Sequence, residues 1–226
     1  VSAGADAVPT EATGFLYPFI DAEEGDAGSL VADLAASARS KIAESAALRA
    51  TALAALEPQL SVIAQAMADR FAAGGKLLAF GNGGSATDAA SMVALFRTPP
   101  SGRPLPALSL AEDPAVLTAL ANDVGFDLVF ARQVLAHGRA HDMAVGFSTS
   151  GGSANVLRAL TEAAGVGLLT VGLAGYEGGA MARPGAVHHC MVVRSESIHR
   201  IQEAQDAVVL RLWTLVQEEW RGGGER

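Results

Sequence analysis

From Leu77 onward, five short apolar runs alternate with stretches that carry apolar residues at helical spacing, and this alternation leaves few folds open. The runs are Leu77–Phe80, Ala107–Leu110, Met143–Phe147, Gly167–Leu173 and Cys190–Val193. Each is continuously apolar over a few residues, as a strand buried on both faces of a sheet must be. Between them the spacing predicts helices at Ser85–Phe96, Pro114–Asn122, Leu128–Ala136 and Ala154–Ala164, with a last one at Ile198–Trp220. Strands that alternate with helices predict an α/β fold with a doubly wound parallel sheet and helices on both faces.

Upstream, Ser29–Ala73 is rich in Ala and Leu and keeps a helical period through Leu30, Leu34, Ile42, Leu48, Leu53, Leu56, Leu60, Ile63, Met67 and Phe71. Pro58 interrupts it, so the expectation is one broken helix or two consecutive ones, ended by Gly74-Gly75. Residues Val1 to Gly28 read as an arm. Its cluster Phe15, Leu16, Tyr17, Phe19 and Ile20 gains nothing from water, which makes the arm a candidate contact for its own domain, another subunit or a protein partner. One domain is expected over 29–221, followed by a frayed tail, Gly222–Arg226.

Composition narrows the function. At 226 residues, half of them apolar, the chain suits one α/β domain with a real core. A net charge of −8 without a run of Lys or Arg argues against nucleic acid. The single cysteine, Cys190, allows no intrachain disulfide and reads as a small hydrophobe of the fifth strand. No apolar window of membrane-spanning length and no signal-peptide pattern occurs, so the expected location is the cytoplasm.

Two strand-to-helix loops carry the chemistry. Gly81-Asn82-Gly83-Gly84-Ser85 follows the first strand, where glycines let the backbone approach a ligand. Ser85 is expected to cap the next helix, whose free N–H groups favour an anion. Ser148-Thr149-Ser150-Gly151-Gly152-Ser153 follows the third strand and places four hydroxyls in six residues. A lone glycine-rich turn needs no ligand, and one capping serine explains Ser153. Neither accounts for Ser148, Thr149 and Ser150. Both loops at the switch point of a doubly wound sheet form a site for one phosphate.

Neither of two other phosphate motifs accounts for both loops. There is no Gly-Lys-Ser/Thr ending, which excludes a nucleoside-triphosphate P-loop. Gly81-x-Gly83-x-x-Ala86 formally fits a dinucleotide fingerprint, with Glu112 or Asp113 as ribose partner, but that reading leaves the second loop without a purpose.

The segments GNGGSATDA, LTALANDVGFDLVFARQV, FSTSGGSANVLRAL and RIQE, in this order, resemble the SIS (sugar isomerase) domain, and most closely its sedoheptulose 7-phosphate (phosphoheptose) isomerase group. The resemblance spans roughly Ser29 to Trp220. It implies a flavodoxin-like five-stranded sheet, a homotetramer with sites at subunit interfaces, and a sugar phosphate as ligand. Carried over, the phosphate contacts are Ser85, Ser148, Thr149, Ser150 and Ser153, beside the Gly83–Gly84 backbone. Asn82 lines the same site, Asp113 matches an aspartate near the second strand, and Gln202 matches the glutamine of the IQE motif.

The chemical positions depart from the pattern. The resemblance calls for a histidine and a glutamate four residues apart on the helix after the first loop, able to hold zinc and move a proton. Ser91 and Leu95 stand there, and Leu210 stands where a last-helix histidine belongs. Zinc is therefore not expected. The reading is a phosphosugar-binding protein without the isomerase reaction, serving a binding, regulatory or scaffold role. The alternative is an active isomerase with a relocated acid/base pair drawn from His188, His189, His199 and Glu203. Asp88 and Glu203 otherwise read as carboxylates favoured near helix N-termini.

Overall fold

The structure, a computed structural model, describes residues 27–223. The aromatic cluster of the arm lies outside the described residues. Two compact units are present, Val1–Ala43 and Glu44–Arg226. The first, described from residue 27, is the opening of a helix whose Leu30, Val31, Leu34 and Ile42 are exposed.

That helix, α1 (Ala27–Ala72), is single and continuous, and Pro58 lies inside it. A proline there removes one backbone bond and typically costs about 3 kcal/mol. Pro58 and Ala54, whose carbonyl loses its partner, are both exposed, so water can satisfy the freed oxygen. Meanwhile Leu56, Leu60, Ile63 and Met67 stay buried on the opposite side and hold the helix together.

The second unit contains β1 (Leu77–Gly81), α2 (Gly84–Arg97), β2 (Ala107–Ser109), α3 (Pro114–Val124), α4 (Val129–His137), β3 (Met143–Ser148), α5 (Ala154–Gly165), β4 (Leu169–Gly175), β5 (His189–Val193) and α6 (Ile198–Gly223). Every predicted run and helix has its counterpart. The last helix reaches Gly223, so Gly222, expected in the tail, is helical.

All neighbouring strands are parallel, in the order β2-β1-β3-β4-β5. Strand periodicity divides the core. Leu77, Ala79, Val145 and Phe147 face one side with α1, α2 and α6, and Leu78, Phe80 and Ala144 face the other with α4 and α5. Phe80 stacks on Phe130 at 5.3 Å, and Phe71 on Phe96 at 5.9 Å. Because β1 and β3 are neighbours while their connections leave to opposite sides, their carboxyl ends form the switch point of the sheet. Both loops singled out in the sequence begin there.

No helix among the described residues is long and apolar enough to cross a membrane.

Candidate phosphate-binding site

The first loop is tighter than expected. Gly83, at φ 54°, is the helix cap, and α2 already starts at Gly84. Ser85 is thus not the cap but a buried residue of the first turn, its N–H donating to the Asn82 carbonyl at 3.0 Å. Two unsubstituted positions make this geometry possible. A Cβ on Gly81 would lie 2.6 Å from the Ser85 carbonyl oxygen, and one on Gly84 would lie 2.4 Å from Gln202 Nε2.

In the second loop the hydroxyls find one another. Ser148 Oγ, nearly fully buried at the end of β3, lies 2.9 Å from Ser153 Oγ and 3.5 Å from Ser150 Oγ. Ser153 begins α5 but makes no side-chain cap bond to that helix. Its hydroxyl turns to Ser148 instead. The Gly152 N–H donates to Ser150 Oγ at 3.2 Å, while Ser150 and Gly152 are exposed and Thr149 is half-buried. The Thr149 carbonyl accepts from Gly175 N–H at 2.8 Å, and the Gly151 carbonyl from Met181 N–H at 2.9 Å. The turn after β4 thereby braces the loop from behind.

Asn155, absent from the sequence-derived site, joins the two loops. Asn82 Nδ2 donates to Asn155 Oδ1 at 2.8 Å, and Asn155 Nδ2 returns a bond to Asn82 Oδ1 at 2.9 Å. Asn155 is 2% exposed, and its Oδ1 also accepts from Val156 N–H. With both ends of its amide in use, Asn82 is a strut between β1–α2 and α5 more than an open ligand group. The sequence signal was present, since Asn155 sits two residues beyond the last hydroxyl, but a residue one step into a helix reads as filler.

Asp113 and Gln202 flank the loops differently. Asp113 caps α3, its Oδ1 accepting from Ala115 N–H at 2.9 Å and Val116 N–H at 3.1 Å. Gln202 reaches from α6 to the first loop and donates through Nε2 to Asp88 Oδ2 at 2.8 Å. Burial pushes the Asp88 carboxyl up, against the effect of the Gln202 bond, and the nearby Asp206 charge adds to the rise. Asp88 therefore behaves as a desolvated carboxyl and not, as anticipated, as a charge favoured by the start of α2.

The alternative acid/base candidates do not gather at the loops. His188 and His189 stand at the amino end of β5, the far end of the sheet from the switch point. His188 Nδ1 accepts from Thr170 N–H at 3.0 Å, and its own N–H donates to Thr170 Oγ1. His199 is exposed and shares α6 with Glu203. Glu203 accepts from Ser45 Oγ at 2.5 Å and pairs with Arg200, and these two bonds hold its carboxyl below the usual range. It is thus an anchored anion rather than a free base. Cys190 lies in β5, where burial pushes its thiol up to about 11.

Zinc does not fit the donor set present. Ser91 is exposed, Leu95 packs on the core, and Leu210 is half-exposed beside a cavity of about 300 Å³ that Arg49, Glu203, Asp206 and Ala207 complete. Among the described residues, no group of three His, Cys, Asp or Glu is arranged to hold a metal. A leucine supplies neither lone pair nor proton.

Comparison with known proteins agrees with this architecture. The SIS domain family matches residues 42–175. A phosphoheptose isomerase of Roseiflexus sp. (strain RS-1) is 45% identical over 155 residues, covering 67% of this chain and 77% of that protein. One of Paramagnetospirillum magneticum is 44% identical over 165 residues, covering 72% and 85%. The solved phosphoheptose isomerase of Neisseria gonorrhoeae superposes with a TM-score of 0.76 at 34% identity, covering 82% of this chain and 99% of its own. A five-stranded parallel sheet, two loops at its switch point and a family match over more than half of the sequence leave one assignment: the chain belongs to the SIS domain family.

Proposed function

We propose that this protein binds a sugar phosphate at the β1–α2 and β3–α5 loops and does not carry out the zinc-dependent isomerisation that its resemblance would suggest. The observation that carries the first half is the cluster of Ser148, Ser150 and Ser153 hydroxyls at the carboxyl end of a central strand, in a loop tied to the first one through Asn82 and Asn155. Such a set of O–H and N–H donors suits a phosphate dianion. The second half rests on Ser91, Leu95 and Leu210. Aldose–ketose isomerisation needs a base beside the carbonyl and an acid to return the proton, and these side chains offer neither. Its role is then binding, regulation or scaffolding in the cytoplasm.

A second reading, an active phosphoheptose isomerase with relocated acid/base residues, draws support from the 45% identity to a protein of that name and from the raised carboxyl of Asp88. Turnover of sedoheptulose 7-phosphate, assayed with and without added zinc, separates the two. We expect a thermal midpoint raised by the ligand and no conversion above background. Conversion at an enzymatic rate would establish the second reading instead. Stabilisation by a dinucleotide and not by the sugar phosphate would defeat both, although Asp113, one of the two ribose partners of that reading, is already spent on capping α3.

The assembly is proposed to be a homotetramer. Leu30, Val31, Leu34 and Ile42 are exposed on the first turns of α1, a costly arrangement in water unless another surface covers them. Light scattering is expected to give four times the chain mass of 23.0 kDa; a monomeric mass would reject this.

A further inference from the structure

We infer that Asp88 is a positioning residue for sugar recognition: it fixes the Gln202 amide so that Oε1 is left as a hydrogen-bond acceptor for a sugar hydroxyl at the lip of the first loop. The inference rests on the phosphosugar reading above and deepens it, from the phosphate to the rest of the ligand.

Three observations converge on Gln202. Its Nε2 donates to Asp88 Oδ2 at 2.8 Å, which fixes which end of the amide is which, because a carboxylate accepts and cannot donate. The same amide occupies the space a side chain on Gly84 would need, with Nε2 and Oε1 2.4 Å and 3.0 Å from that absent Cβ. It therefore lies directly against the loop that is to hold the phosphate. Finally, Oε1 accepts no hydrogen bond from any described residue, while Gln202 is only half-buried, so a ligand can reach it. An anchored donor end and an open acceptor end make a group that reads hydroxyl donors.

The surroundings explain why the anchor must be an acid that stays put. Asp88 sits on α2 and meets α6 through Gln202, where the Asp206 charge also acts on it, and Arg49 and Glu203 in turn act on Asp206. Among the described residues no cation pairs directly with Asp88, so its bond to Gln202 is its main stabilising contact there, and swinging the glutamine away would strand a half-buried carboxylate. Without Asp88, the amide is free to rotate, and its NH₂ end can face the ligand as readily as its oxygen.

The test compares sedoheptulose 7-phosphate with inorganic phosphate by calorimetry, because phosphate reports the loops alone. Asp88→Ala, a substitution that suits a helix interior, is expected to weaken the sugar phosphate about three- to tenfold, the effect of one lost hydrogen bond, and to leave inorganic phosphate unchanged. Asp88→Asn keeps an acceptor for Nε2 and is expected to restore most of that affinity. In a Gln202→Ala background, Asp88→Ala should have no further effect, since both act through one contact. An unchanged ratio of the two affinities in Asp88→Ala, or losses that add fully in the double variant, would overturn the role of Asp88 while the phosphosugar reading stands. If wild-type protein prefers neither ligand, that reading fails and takes this inference with it.

Discussion

A Ser148→Ala/Ser150→Ala variant is expected to fold and to lose essentially all stabilisation by sedoheptulose 7-phosphate. Each hydroxyl is counted on for one charge-assisted bond to a phosphate dianion, which is worth about 1.5–3 kcal/mol. Losing both amounts to about 3–6 kcal/mol, a drop in affinity on the order of a hundredfold or more. Folding should survive because the two hydroxyls bond chiefly within the loop, to Ser153 and to the Gly152 N–H. Isothermal titration with sugar phosphate and with inorganic phosphate reads the loss directly. Affinity for both ligands within a factor of three of wild type would remove the β3–α5 loop from the site.

The second large effect concerns one glycine against its neighbour. Gly151 has φ 62°, and a Cβ there would stand 2.0 Å from the Gly178 carbonyl oxygen. That oxygen is backbone and belongs to the turn that braces the loop, so it cannot swing aside as a flexible side chain would. Gly151→Ala must then push the loop and the brace apart, breaking the Gly151–Met181 bond, and a destabilisation of about 2–4 kcal/mol is expected. Gly152 is the control. Its φ is unstrained, and a Cβ there would meet nothing closer than Ser150 Oγ at 3.6 Å. Gly152→Ala should melt within a degree or two of wild type, and denaturant titration of the pair gives the difference. Equal midpoints would mean that the brace is not rigid.

What could be read from the sequence follows the range over which each feature is encoded. Buried parallel strands are written as continuous runs, so β1 to β5 were found to within two residues at either end. The two loops were visible because glycine and hydroxyl clusters are rare outside turns. Features that depend on pairing across the chain stayed hidden. Asn82 and Asn155 are 73 positions apart, and nothing local marks either as half of a pair. The brace behind Gly151 comes from a glycine-rich turn that looks like a connector. His188 and His189 were plausible chemical groups by type, and only the direction of β5 places them at the wrong end of the sheet. Pro58 misled in the opposite way, because the rule it invokes is local and the buried leucines that override it are not. Ser85 was displaced from the cap by Gly83, which takes a positive φ that a serine resists.

One feature of the site reaches beyond binding. The two loops are carried by separate strands, and a side-chain tie between them is the reciprocal amide pair of Asn82 and Asn155. The gap they span is therefore gauged by the covalent length of two short side chains and not by the sheet itself. A sheet is slow to change, since moving a strand disturbs every neighbour. A gauge made of two residues can be lengthened by one methylene, in Asn82→Gln or Asn155→Gln, with the strands left in place. The spacing of the two loops, and with it the width of the anion that the proposed site would admit, is thus an adjustable dimension, set apart from the scaffold that holds it.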